Sequence, residues 1–245
     1  MVRLHAVTVG SGSRRALLLH GLSSSAATLW QITDALAQAE GYTVVAPDLR
    51  GHGRSPAGER HSTRDYVGDL DDLGVWDLVV GHSLGGLIGL CAAQRPGWTE
   101  RLVLLDPALE FSEAELRGHE QEGLEEQKAL PTATELAAAH PRWHPRDAQY
   151  KAEAVQNLSP DTVSRTFRDI VPWRYAQLLY SLDRRTLVLG ADPALGGVFP
   201  PALGNAAAEA NPYVDFRVLA GTSHSLHRDA PEAVVAAIAE FARGA

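Results

Sequence analysis

Apolar residues fall in short blocks along the first hundred positions, and helical spacings separate the blocks. Arg15-Ala16-Leu17-Leu18-Leu19, Thr43-Val44-Val45-Ala46, Asp77-Leu78-Val79-Val80 and Arg101-Leu102-Val103-Leu104-Leu105 are too short for helices and too continuously apolar for half-exposed strands. Such runs predict strands buried on both faces. A further strand is expected from Leu4 to Val9, ending in the Gly10–Ser13 turn. Between the blocks, Leu29, Ile32 and Leu36 recur three and four apart, predicting a helix that begins at Thr28. A short helix is expected around Asp65 to Leu73, and another from Leu84 to Ala93, packed on the Asp77–Val80 strand. Strands alternating with helices imply a parallel sheet covered on both faces.

From Glu110 to about Tyr180 this pattern stops. Charges become frequent: Glu113, Glu115, Glu120, Glu122, Glu125 and Glu126 cluster with Arg117 as the lone basic residue among them. Pro131, Pro141, Pro145, Pro160 and Pro172 cut the segment into short helical pieces, and the acidic run reads as a solvated helix face. The sheet resumes at Arg185–Asp192 and Val214–Leu219. A last helix is expected to open with Asp229 as its cap, Pro231 in its first turn, and Val234, Ile238 and Phe241 on its apolar face. The organisation expected is an α/β core over residues 1–109, a helical cap over 110–180, and the rest of the core over 181–245.

Composition narrows the class. The 245 residues are 45% hydrophobic and 21% charged, the balance of a globular enzyme with room for a large core. A formal net charge of −8 argues against nucleic acid or an anionic membrane surface as the main partner. The lone cysteine, Cys91, allows no intrachain disulfide and reads as a small buried hydrophobe. No charged-then-apolar leader opens the chain and no run approaches about 18 apolar residues, so a cytoplasmic protein is expected. Nothing in the pattern specifies an oligomeric state.

The candidate chemistry centres on Gly81-His82-Ser83-Leu84-Gly85, which joins an expected strand to an expected helix. Strand, Gly-x-Ser-x-Gly, helix is the context of a nucleophile elbow. The turn is too tight for side chains at Gly81 and Gly85, and it leaves the Leu84 amide free to donate to an oxyanion. A base is needed for Ser83, and His224 follows the last strand on a loop at the same sheet edge; His227 is the second choice. A carboxylate must orient the imidazole, and two aspartates, Asp106 and Asp192, end buried strands ahead of His224. In the acidic insertion, Trp143, Phe167, Trp173, Tyr175 and Leu178 are the large apolar groups available to line a substrate pocket. No histidine spacing suggests a metal site.

Four stretches, Leu19-His20-Gly21-Leu22, Asp48 through Ser55, Gly81 through Gly86, and Gly221-Thr222-Ser223-His224, together resemble the α/β-hydrolase superfamily, in the group with a helical cap. The resemblance implies a mostly parallel sheet with helices on both faces. It favours Asp192 as the acid over Asp106, adds the Leu22 amide to the oxyanion hole, and places Trp30 near the site. It also implies that His20, His52 and His82 shape loops. The stretch Asp65–Trp76 is shorter than the family's usual connection and is expected to bring Trp76 close to the sheet edge.

The expected activity is that of a cofactor-free serine hydrolase acting on a small-molecule carboxylic ester, lactone or related acyl bond. The same triad would also serve a carbon–carbon bond hydrolase, an acyltransferase or a perhydrolase. Serine at position 83, where haloalkane dehalogenases and epoxide hydrolases of this fold carry aspartate, argues against those two activities. From another class, a small-molecule receptor with slow or no turnover would keep the pocket without the chemistry.

Overall fold

The apolar blocks sort their side chains onto two faces of one sheet. In the computed structural model, which describes residues 1–38 and 41–244, the strands are β1 (Ala6–Val9), β2 (Arg14–Leu19), β3 (Tyr42–Pro47), β4 (Trp76–His82), β5 (Thr99–Leu105), β6 (Arg185–Ala191) and β7 (Val214–Leu219). Their spatial order is β1-β3-β2-β4-β5-β6-β7, with β1 antiparallel to β3 and every other pair parallel. Successive residues of a strand point to opposite sides. Leu17, Leu19, Val79, Leu102 and Leu104 therefore join one core with helix α3 (Leu84–Ala92). Ala16, Leu18, Leu78, Val80, Val103 and Leu105 join a second core, opposite α1 (Trp30–Gln38) and the C-terminal α10 (Pro231–Arg243). Helix α3 buries almost every residue, which is why it reads as apolar all round.

Between α1 and β4 lies α2 (Thr63–Gly68), capped by the Ser62 side chain. Trp76 opens β4, buried beneath the guanidinium of Arg15, whose Cζ lies 4.4 Å from the ring centroid. Between β5 and β6 the chain forms α4 (Glu113–Ala129), α5 (Ala133–Ala139), α6 (Pro145–Gln156) and α7 (Pro160–Asp169), with no strand longer than an isolated bridge among the described residues. Helix α8 (Pro201–Ala210), which the hydrophobic pattern does not announce, crosses between β6 and β7.

The chain's end differs from expectation. Asp229 does not cap the last helix; it ends a separate short helix, α9 (Leu226–Asp229), and α10 starts after Ala230. The Asp229 carboxylate instead accepts the Ser223 amide at 2.6 Å and Trp143 Nε1 at 2.9 Å, which a serine-rich loop and a distant indole made available. Among the described residues no helix is long and apolar enough to cross a membrane.

Parallel pairing brings the C-terminal ends of β4, β5, β6 and β7 to one edge of the sheet. That edge carries Ser83, Asp106, Asp192 and the loop to His224. Ligands in open α/β sheets bind outside this edge.

Candidate active site

Ser83 follows β4 with φ 53° and ψ −118°, a backbone state that non-glycine residues rarely adopt. Its neighbours make the turn possible. A Cβ on Gly81 would lie 2.4 Å from the Gly85 carbonyl oxygen, and one on Gly85 would lie 2.2 Å from that of Leu19. Two other non-glycine residues with positive φ, Ser23 (53°) and Asp106 (39°), sit at the same sheet edge. Strain gathered in this way marks sites held in shape by their surroundings.

The strained serine meets a hydrogen-bonded chain. Ser83 Oγ lies 2.9 Å from His224 Nε2, and His224 Nδ1 lies 2.6 Å from Asp106 Oδ2. With Nδ1–H donating to the carboxylate, Nε2 is left to accept the serine proton. Asp106 is fully buried, yet its oxygens are satisfied: Oδ1 accepts the amides of Ala191 at 3.1 Å and Phe199 at 3.2 Å, and Oδ2 also accepts that of Val198 at 2.9 Å. A carboxylate held by three backbone donors and an imidazole does not swing away.

Asp192, the expected acid, is not at this position. Its carboxylate accepts the amides of Ala194 at 3.0 Å and Gly221 at 2.9 Å, fastening the turn that precedes His224. These bonds, Gly221's first, hold its pKa below the ordinary carboxylate value. The reason is sheet order. Asp106 ends β5, which pairs directly with β4 through His82 and Leu105, whereas Asp192 ends β6, one strand farther from Ser83. Each strand adds about 4.8 Å of separation.

His227 does not face Ser83 either. It is buried, its ring centroid 4.5 Å from that of His82, and neither nitrogen has a hydrogen-bond partner among the described residues. His82 donates Nε2–H to the His224 carbonyl at 2.8 Å and so fixes the loop that bears the base. Burial, ahead of the neighbouring His224, holds His82 well below the ordinary imidazole pKa. His20 works in the same way behind the opposite loop. Its Nδ1–H donates to the Gly21 carbonyl at 2.8 Å while Nε2 accepts the Leu49 amide at 2.9 Å, and burial keeps it neutral.

Above Ser83 opens a cavity of about 600 Å³. Leu22 and Leu84 line it beside the serine. The Leu84 amide is the first of α3 and has no intrahelical carbonyl to reach. Of the pocket residues expected from the sequence, Trp143, Phe167 and Trp173 line the cavity, and Trp30, Tyr175 and Leu178 do not. Trp30 instead ties α1 to the insertion, donating Nε1–H to Asp147 at 2.8 Å. The Tyr175 hydroxyl reaches Thr63 at 3.3 Å, and Leu178 packs against the core beside α3. A large apolar residue in a polar segment must be buried, but the spacing does not say against what.

The structure adds groups that the sequence pattern does not single out, notably Lys151 and Arg228. Lys151 Nζ donates to the Ser23 carbonyl at 2.9 Å and pairs with Glu126 at 2.6 Å. Glu126 therefore faces inward, contrary to the expectation of a wholly solvated acidic face. Among the described residues no group of three or more His, Cys, Asp or Glu side chains is placed to hold a metal ion.

The sequence profile of the alpha/beta hydrolase family matches residues 16–237. Lipase LipV of Mycobacterium tuberculosis is 35% identical over 124 residues, which are 48% of this chain and 46% of that protein, so the match spans less than half of either. The sn-1-specific diacylglycerol lipase ABHD11 of Danio rerio is 25% identical over 95% of this chain and 80% of its own. The crystal structure of bromoperoxidase from Bacillus anthracis superposes with a TM-score of 0.81 at 19% identity, covering 99% of this chain and 96% of that one, a likeness of fold. The chain belongs to the alpha/beta hydrolase family.

Proposed function

We propose that the protein is a cofactor-free serine hydrolase that cleaves a carboxylic ester, lactone or related acyl bond of a small molecule. One observation carries the reading: the unbroken hydrogen-bond chain from Ser83 through His224 to Asp106, ending at the floor of a cavity. In the first half-reaction Ser83 Oγ bonds to the acyl carbon as its proton passes to His224 Nε2. The oxyanion accepts from the amides of Leu22 and Leu84. Asp106 keeps Nδ1–H directed at itself and stabilises the imidazolium. As the intermediate collapses, the bond to the leaving oxygen breaks and that oxygen takes the proton from Nε2. Water then repeats the sequence against the acyl-enzyme, giving its proton to Nε2 and releasing the acid and Ser83. The relatives named as lipases act on ester bonds by name, and this chain's serine fits that chemistry. The roles of Asp106 and Asp192 are exchanged relative to the resemblance.

A fluorophosphonate probe tests the reading. It is expected to add one phosphonyl group to the native protein, mapped to Ser83 by peptide mass, and none to Ser83→Ala. A screen of p-nitrophenyl esters and lactones should then show turnover. A protein that takes no label and hydrolyses none of them is not a serine hydrolase.

A further inference from the structure

Among the described residues two arginines are deeply buried, and they are bonded differently. Arg50 is 2% exposed and its guanidinium is saturated. Nε and Nη2 fork onto the Asp69 carboxylate at 2.6 and 2.7 Å, Nη2 also reaches the Asp65 carbonyl at 2.9 Å, and Nη1 donates to the Arg60 carbonyl. This is how an arginine built to hold loops together is bonded. Arg228 is 3% exposed and has nothing comparable. Among the described residues Nη1 reaches only the Ser225 hydroxyl at 3.2 Å, Nη2 only the Ser24 hydroxyl at 3.3 Å, and Nε has no hydrogen-bond partner. Its Cζ also lies 4.9 Å from the centroid of the Trp143 ring.

The nearby carboxylates are committed elsewhere. Glu126 pairs with Lys151, Asp147 accepts Trp30, and Asp229 holds Ser223 and Trp143. None forms an ion pair with Arg228 among the described residues. Burial lowers its pKa to about 10, so it remains charged at neutral pH. Asp147, Glu126 and Asp229 offset part of its charge from a distance, but none of them bonds the guanidinium, and buried donors left open are costly.

Arg228, Ser24, Ser225 and Trp143 all line the cavity that holds Ser83. Ser225 adjoins the base His224, and Ser24 lies two residues beyond Leu22. Of the other ionic groups of the wall, Lys151 pairs with Glu126, and Glu122 contacts His119 at the exposed rim. Between them the wall is apolar, with Phe111, Leu136, Phe167, Trp173 and Val198. We propose that the substrate's acyl part carries a second, free carboxylate, which docks on the Arg228 guanidinium while the scissile carbonyl sits at Ser83. Only the placement of the scissile carbonyl at Ser83 rests on the serine hydrolase reading. A carboxylate matches the fork of the guanidinium, and Ser24 and Ser225 can turn their hydroxyl protons toward it. A single weakly bonded guanidinium in an otherwise apolar wall suits the planar fork of one carboxylate.

The test compares esters of equal length. Mono-p-nitrophenyl glutarate and adipate carry the free carboxylate; p-nitrophenyl pentanoate and hexanoate lack it. The native protein is expected to prefer the acid esters by about tenfold or more in kcat/KM, and Arg228→Gln to lose about 30-fold on the acid esters, chiefly through KM, so that the preference collapses. Arg228→Lys, which keeps the charge without the fork, should fall between. A native preference for the neutral esters at both lengths overturns the proposal. So does an equal loss on both classes in Arg228→Gln, which would make Arg228 a loop clamp. Calorimetric titration of Ser83→Ala with monomethyl glutarate and methyl pentanoate asks the question without turnover. Binding of the acid alone, removed by Arg228→Gln, supports the proposal even if Ser83 takes no fluorophosphonate. A failure to bind the acid overturns it even if Ser83 is the nucleophile.

Discussion

The sheet edge and the helical insertion above it are built on different principles. At the edge, positions are imposed by backbone. Ser83 is set by glycines that admit no Cβ, Asp106 by three amides, and His224 by a carbonyl bond to His82. In the insertion, helices hold their own ends. Ser112 with Glu115, Thr132 with Glu135 and His144 with Asp147 form capping boxes at the starts of α4, α5 and α6, and α4 buries no residue at all. Such caps fix where each helix starts, while residues such as Val163, Phe167 and Trp173 and a few side-chain bonds anchor the insertion to the core. Those anchors are specific: Trp173 Nε1 donates to the Ala108 carbonyl at 2.6 Å, and Lys151 Nζ to that of Ser23 at 2.9 Å. A region so built can change its inward side chains without disturbing the edge. The difference separates the chemistry from the choice of substrate.

The largest effect expected is at the edge. Ser83→Ala should lower turnover by about 10⁴- to 10⁶-fold while leaving thermal stability close to native, because little packing is lost. A folded variant that kept a tenth of the native esterase rate would break the comparison at its strongest point.

Next comes the acid. Asp106→Asn should cost about 10³- to 10⁴-fold in turnover, because the amide can hold the wrong imidazole tautomer and cannot stabilise its cation. Asp192→Asn should cost less than about tenfold, acting only through the turn before His224. Steady-state kinetics on one ester ranks the two. The reverse order would return the acid to the end of β6.

A third expectation concerns acid stability and again divides the regions. His20, His52, His82 and His227 are buried in the core, and burial lowers the pKa of each, that of His52 to about 3. In the unfolded chain these imidazoles take up protons below about pH 6.5, whereas in the fold they remain neutral. Stability is therefore complete above that pH and falls as the solution is acidified toward the folded values, by about 1.4 kcal/mol per pH unit for each such histidine. Urea titrations from pH 8 to pH 4 should show that slope, and His227→Phe should make it shallower. Equal stability at pH 7.5 and pH 4.5 would contradict it.

Much of the edge was legible because its causes are local. The run Asp77–Val80, the two glycines and the serine between them specify a strand, a turn and a helix without reference to the rest of the chain. The two aspartates were not separable in this way. Both follow apolar strands, and only the pairing of β4 with β5 distinguishes them. Asp229 had the spacing of a helix cap and became the acceptor for an indole far away in sequence. Arg228 and Lys151 carry no local mark of burial; each bonds to a segment more than a hundred residues distant. Trp30, Tyr175 and Leu178 are pocket candidates by residue type, but all three are half-buried outside the cavity, and which surface each packs against is a property of the assembled fold.

The smallest effect expected is the one that most sharpens the division within the insertion itself. Phe167 lines the cavity, its ring centroid 5.5 Å from that of Trp173, while Leu178 packs against the core beside α3. Both are apolar, and truncation of either to alanine should lower thermal stability. Only Phe167→Ala also enlarges the space available to an acyl chain. A methylene in such a pocket is worth about 1–3 kcal/mol, so the optimum in a series of p-nitrophenyl esters should move toward longer chains by one or two carbons. In Leu178→Ala the order of chain lengths should stay native even where absolute rates fall. Should both variants lose stability with the native order intact, Phe167 would be a packing residue like its neighbour. Should Leu178→Ala shift the order, the boundary between anchor and pocket would lie elsewhere in the insertion than the cavity places it.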